Sequence, residues 1–132
     1  MSTPKNKTIE LKAFSTWLGE NDICYTVVKL NAFIQLEDAL ENSSAVKEVS
    51  DGKIYPLLVN LQQINSITKE ARDHFSMQNR SPGVTAIAML IKSPVSKIIG
   101  NFFLGLNKSM VPAKLFTNEE KAITWLKQFP AK

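Results

Sequence analysis

A single cysteine and a single histidine set the ceiling on the side-chain chemistry of this 132-residue chain. Cys24 and His74 fall short of the three or four nitrogen and sulfur ligands of an ordinary zinc site. As nucleophile and base they would need a third group to orient the imidazole, and no spacing supplies one. Cys24 lies in "ICYTVVKL", an apolar setting that keeps a thiol protonated and inert. His74 on a helix reads as a structural or boundary residue. Asp38 and Glu41 share a helix face, as carboxylates do on any solvated helix. Neither a Walker pattern nor G-x-G-x-x-G occurs, and the five glycines are scattered. No metal, no cofactor and no catalytic set are expected, so the chain reads as non-enzymatic.

One constellation could bind. Thr68 and Ser93 each stand where a helix should begin, after apolar runs ending at Leu61 and Ile91. Helix N-termini carry unpaired N–H groups and about half a positive charge. Two on one sheet edge, with Lys69, Lys92 and Lys97 beside them, form a candidate site for a small anion. The bland alternative is that both hydroxyls are plain caps and the lysines are solvated. A second candidate is "IIGNFFLGLNKSMVP" (98–112), whose apolar residues exceed what one sheet contact needs. Phe102, Phe103 and Met110 could line a pocket or an interface there, unless both rings simply fill the core.

Charge is unevenly placed. The net charge is +4, yet no acidic residue lies between Asp73 and Glu119, where Arg80, Lys92, Lys97, Lys108 and Lys114 fall. A positive face follows. No aromatic-basic motif accompanies it, so nucleic acid is not the expected partner.

The elements that must position these residues read plainly. Residues 8–18 begin with period-two alternation and 23–30 are β-branched, giving an antiparallel hairpin across "GEND". Residues 35–49 switch to helical period, with Leu36, Ala39, Leu40, Val46 and Val49 near one face. "IYPLLVNL" (54–61) and "VTAIAMLI" (84–91) are apolar throughout, like strands covered on both sides. Pro56 should sit near its strand's start. Helices follow from Thr68 and Ser93, then a short strand at 111–116. Thr117 with Glu120 suggests a capping box for the last helix. The order is β-β-α-β-α-β-α-β-α: an α/β domain over residues 7–132, with a mixed, mostly parallel sheet of four or five strands and helices packed against it. Residues 1–6 read as a disordered arm. No signal peptide or membrane span is evident, which points to the cytoplasm.

The element order and the stretch from Ile54 to Phe129 resemble the STAS fold of bacterial anti-sigma factor antagonists. "ITKEARDHF", "LIKSPVSKIIGNFFLGLNK" and "KLFTNEEKAITWL" look like a family of uncharacterised bacterial proteins related to STAS domains. In STAS regulators a strand ends in Asp-Leu, and a serine or threonine at the next helix start is phosphorylated. "NLQQINSITKEA" occupies that place here. Asn60 stands at the strand-end aspartate, Thr68 at a second aspartate, Lys69 at the phospho-acceptor and Ala71 at the usual glycine. A lysine does not accept that phosphate as serine does; Ser66 and Thr68 are nearby hydroxyls that do not align. The resemblance implies a regulatory or protein-interaction domain, with a partner protein, self-association or a small anionic ligand. The alternative is a carrier of a small molecule or lipid, with an apolar pocket near residues 98–112.

Overall fold

Three parallel crossovers turning the same way organise the molecule, in a computed structural model that describes residues 3–78, 83–106 and 111–132. The elements are β1 (Ile9–Glu10), β2 (Phe14–Leu18), β3 (Cys24–Val28), β4 (Phe33–Ile34), α1 (Leu36–Ser50), β5 (Tyr55–Asn60) and β6 (Ser66–Ile67). They continue as α2 (Lys69–Gln78), β7 (Val84–Leu90), α3 (Pro94–Leu106), β8 (Ala113–Phe116) and α4 (Glu119–Leu126). The main sheet has six strands in the order β1-β2-β3-β5-β7-β8, with β4 and β6 forming a separate two-stranded sheet. The β1-β2-β3 end is antiparallel and the rest parallel.

Because β3, β5, β7 and β8 step in one direction, right-handed crossovers place α1, α2 and α3 on the same face. The last helix has no crossover to complete and covers the other face. There Tyr25, Leu58, Ala88 and Leu90 pack against Ala122 and Leu126 of α4.

The α/β class and the mainly parallel sheet agree with expectation, but the strand count exceeds the four or five expected. The extra strands β1, β4 and β6 are two residues each, too short to leave a hydrophobic period. Pro56 occupies the second position of β5, where the register with β7 shifts between Tyr55 and Leu57. A residue without an N–H is tolerated at such an irregularity. The segment expected to be a disordered arm is held from Thr3 onward. Lys5 donates its N–H to Leu18 O at 2.7 Å, and its ammonium pairs with Asp22 at 2.9 Å.

Two helix details differ from the pattern. The cap of α4 is Asn118, whose Oδ1 accepts from Lys121 N–H at 3.0 Å, in place of Thr117. The inward side of α1 is made of Asp38, Ala39, Asn42 and Ala45, while Leu36 and Leu40 stand exposed. Ala39, Val46 and Val49 face inward as expected and Leu36 and Leu40 do not, with polar Asp38 and Asn42 buried in the first half of the helix instead.

Candidate functional site

Between the sheet and the α1–α2–α3 layer lies a cavity of about 500 Å³. Its floor is one face of the sheet. Strand pairing sets Thr26 beside Val59 and Val59 beside Met89, with Leu57 and Ile87 in the next row. Its roof is α1, through Asn42, Ser43, Val46, Lys47 and Ser50, with Phe75 of α2 and Phe103 of α3 completing the wall. Leu57 and Val59 belong to a central strand yet are only partly buried, because their side chains face this space.

One end is shut by Phe14, Ile34, Leu61 and Ile64, all buried. Exposed lining residues, Lys47, Gly52, Lys53 and Gly83, gather at the C-terminal end of α1 and the N-terminal ends of β5 and β7. The cavity therefore opens there. From Leu57 to Leu61 the floor runs for about 13 Å, at roughly 3.3 Å per residue. These dimensions suit a small ligand.

Polar groups interrupt the apolar lining at defined points. Thr16 and Thr26 are cross-strand partners, both buried. Thr16 Oγ1 donates to Asn42 Oδ1 at 2.8 Å, so toward Thr26 Oγ1, 3.1 Å away, it accepts. That relay holds the amide of Asn42, which is 6% exposed, by its oxygen. Its Nδ2 carries two further N–H donors and makes no hydrogen bond among the described residues. Ser43 Oγ lies 2.9 Å from His74 Nε2 and ties α1 to α2 at the cavity wall. Lys47 and Lys53, at the mouth, form no ion pair among the described residues.

The residues expected to hold an anion lie on the opposite edge. Helices α2 and α3 both begin at the carboxyl ends of the parallel strands, so Thr68 and Ser93 share an edge. Each acts as a cap: Ala71 N–H donates to Thr68 Oγ1 at 3.2 Å and Ser96 N–H to Ser93 Oγ at 3.0 Å. At α3 the donors are largely spent. Pro94 has no N–H, and Lys92 N–H is taken by Ser96 Oγ at 2.8 Å. Lys69 pairs with Asp73 at 3.0 Å, while Lys92 and Lys97 are exposed. None of these residues lines the cavity.

Of the second expected group, Phe103 lines the cavity and is buried. Phe102 does not line it but packs edge-on against Phe103, with the guanidinium of Arg72 4.5 Å from its ring centroid. Met110 lies outside the described residues. Cys24 is fully buried, and burial pushes its thiol pKa up to about 12. Sequence reasoning missed Thr16, Thr26, Asn42, Lys47 and Lys53. The available signal was a helix with Asn42 and Ala45 between its apolar residues, and a strand with Thr26 amid β-branched neighbours.

Comparison with solved structures agrees on the fold. An uncharacterised protein of the DUF3478 family with a SpoIIAA-like fold, from Shewanella loihica PV-4, superposes with a TM-score of 0.64 at 12% identity, covering 96% of this chain and 98% of that one. A protein of unknown function from Arthrobacter sp. FB24 is 31% identical over 85% of this chain and 97% of its own, with a TM-score of 0.33. No curated protein matches. The family model for a domain of unknown function, DUF7793, matches residues 16–130, and with a SpoIIAA-like, that is STAS-like, fold the chain belongs to that family.

Proposed function

We propose that this domain works by holding a small, mostly apolar molecule between its sheet and helix α1, without transforming it. The observation that carries the reading is the cavity of about 500 Å³, closed at one end and open at the other. Well-packed interiors contain few voids larger than a water molecule, because lining atoms lose dispersion contacts wherever no partner faces them. An occupant restores those contacts, and the folded state is favoured by whatever binds it. This develops the carrier alternative but moves the pocket from residues 98–112 to the space under α1. The Ser43–His74 pair supports binding over catalysis. Among the described residues no carboxylate holds the other ring nitrogen, so the imidazole lacks the third group that supports a general base in a nucleophilic site.

A second reading, docking to a partner protein, is favoured by Leu30, Phe33, Leu36 and Leu40. They are 71%, 51%, 40% and 47% exposed within one short stretch, and apolar groups exposed together often mark a contact surface. Sedimentation of the wild type and a Phe33→Ser/Leu40→Lys variant checks it. Self-association that the variant abolishes supports docking, and a monomer at all concentrations counts against self-association.

For the cavity, Nile red titration of the wild type should give saturable fluorescence enhancement. Val59→Phe should abolish it while leaving the circular dichroism spectrum intact, since the added ring fills the space. At a ligand concentration of 100 times Kd the stabilisation should be about 2.7 kcal/mol. Equal probe binding by the two proteins would refute the reading.

A further inference from the structure

The charged side chains that meet the cavity are both cations and its buried amide presents only donors, and that restricts its ligand. Asn42 is more than nine-tenths buried, and with Oδ1 occupied by Thr16 it offers only N–H donors. Lys47 and Lys53 offer ammonium donors at the open end. The hydroxyl of Thr26 gives its proton to Thr16, so toward the cavity it can only accept. Ser43 and Ser50 can serve either way. No carboxylate lines the cavity among the described residues. A ligand cation would meet no counter-charge there, and at Asn42, Lys47 and Lys53 an amine or ammonium would face donors with donors. An acceptor, above all a charged one, finds partners at the mouth and at mid-depth. On α1, Asn42 and Lys47 are five residues apart, about 7.5 Å at 1.5 Å per residue. The mouth and the mid-cavity donor are therefore separate grips on one elongated molecule.

Resting on the cavity reading above, we propose that the ligand is an amphipathic carboxylate whose chain carries an acceptor oxygen part-way along, at the level of Asn42 Nδ2. Its tail runs inward among Val28, Ile34, Leu61 and Phe75, and its carboxylate lies between Lys47 and Lys53. The closed end is wholly apolar, which suits a hydrocarbon terminus, and the charged end keeps its contact with water. Lys47 also sits in the last turn of α1, where a cation offsets the negative end of the helix dipole. That role alone would explain Lys47. It does not explain Lys53, which lies beyond the helix and faces the same opening.

The test displaces Nile red from the full chain with decanoate, decanol and decylamine at neutral pH, each below its micellar concentration. The order expected for the wild type is decanoate, then decanol, then decylamine. Lys47→Gln/Lys53→Gln should weaken decanoate by roughly 3–10-fold, the scale of two solvent-exposed ion pairs, and leave decanol unchanged. Lys47→Glu/Lys53→Glu should invert the preference toward decylamine, which a merely structural role for the lysines would not do. High salt should narrow the gap between decanoate and decanol. Decanol binding as tightly as decanoate, with both indifferent to the lysine variants, overturns the carboxylate assignment while the cavity reading stands. Displacement by none of the three, or displacement that persists in Val59→Phe, overturns the cavity reading itself.

Discussion

Thr16 on β2 donates its hydroxyl proton to the Asn42 amide oxygen on α1 at 2.8 Å, and this bond fixes which side of the amide is occupied. Removing the hydroxyl leaves Asn42 Oδ1 and the Thr26 hydroxyl without their partner. Thr16→Val should therefore cost about 1–3 kcal/mol in urea denaturation. Adding Thr26→Val removes a group already stranded by the first change. The double variant should lose less than the sum of the singles, with a coupling of at least about 0.5 kcal/mol. Strict additivity would mean that the two hydroxyls act independently.

Cys24 gives the pH dependence. In an unfolded chain a thiol has a pKa of about 8.5, and in the fold burial raises it to about 12. A raised value means that the folded state binds this proton more tightly than the unfolded state. The stabilisation is complete below about pH 8.5 and is lost as pH climbs toward 12. Wild type should lose stability faster than Cys24→Ala on the alkaline side of pH 8.5. Native protein at neutral pH should react with a thiol reagent only after denaturant is added. Immediate labelling would contradict the burial.

Helix α4 offers a direct choice between two caps. Asn118→Ala should destabilise by about 1 kcal/mol, the ordinary value of an N-cap side chain. Thr117→Ala should change stability by less than about 0.5 kcal/mol, as an exposed residue outside the cap bond. Thermal melts of the two variants compare them, and the reverse order would return the cap to Thr117.

Gly100 brings α3 close to the sheet. A Cβ there would stand 2.8 Å from Leu115 Cδ2 and 3.1 Å from Ile91 Cγ2. The leucine tip can swing aside, so alanine is partly accommodated and gains helix propensity. Valine adds two methyl groups against a buried isoleucine. Gly100→Val should cost about 1–3 kcal/mol by overpacking, read from the shift of the urea midpoint. No shift would mean that α3 moves off the sheet freely.

How much was legible depended on whether a residue's environment follows its own period. The apolar runs at 54–61 and 84–91 announced central parallel strands, because nothing else buries both faces of so short a segment. Thr68 and Ser93 announced their helices by capping chemistry, which is local. The inward face of α1 was legible at Ala39, Val46 and Val49 but not in its polar part. Leu36 and Leu40 look like core residues, but the crossover geometry turns Asn42 and Ala45 to the sheet. Asn42 is intelligible there only beside Thr16 of β2, which bonds it, and Thr26 of β3, which bonds Thr16. Lys47 and Lys53 likewise gain meaning only once the cavity's open end is located. Two-residue strands such as β4 and β6 leave no period at all, since Ser66 and Ile67 pair with Phe33 and Ile34 across more than thirty intervening positions.

The one-sided arrangement of the crossovers divides the labour of the molecule. Beneath the sheet, α4 rests on alanines 86 and 88, with Leu58 and Leu126 fully buried, and nothing there needs to yield. Above it, the α1–α2–α3 layer buries a second cluster around Phe14, Ile34, Leu61 and Phe103 but leaves a chamber roofed by α1. Exchanging residues on the inner side of α1 would alter the size and lining of the chamber while α4 keeps its own packing. Void and close packing thus lie on opposite sides of one sheet.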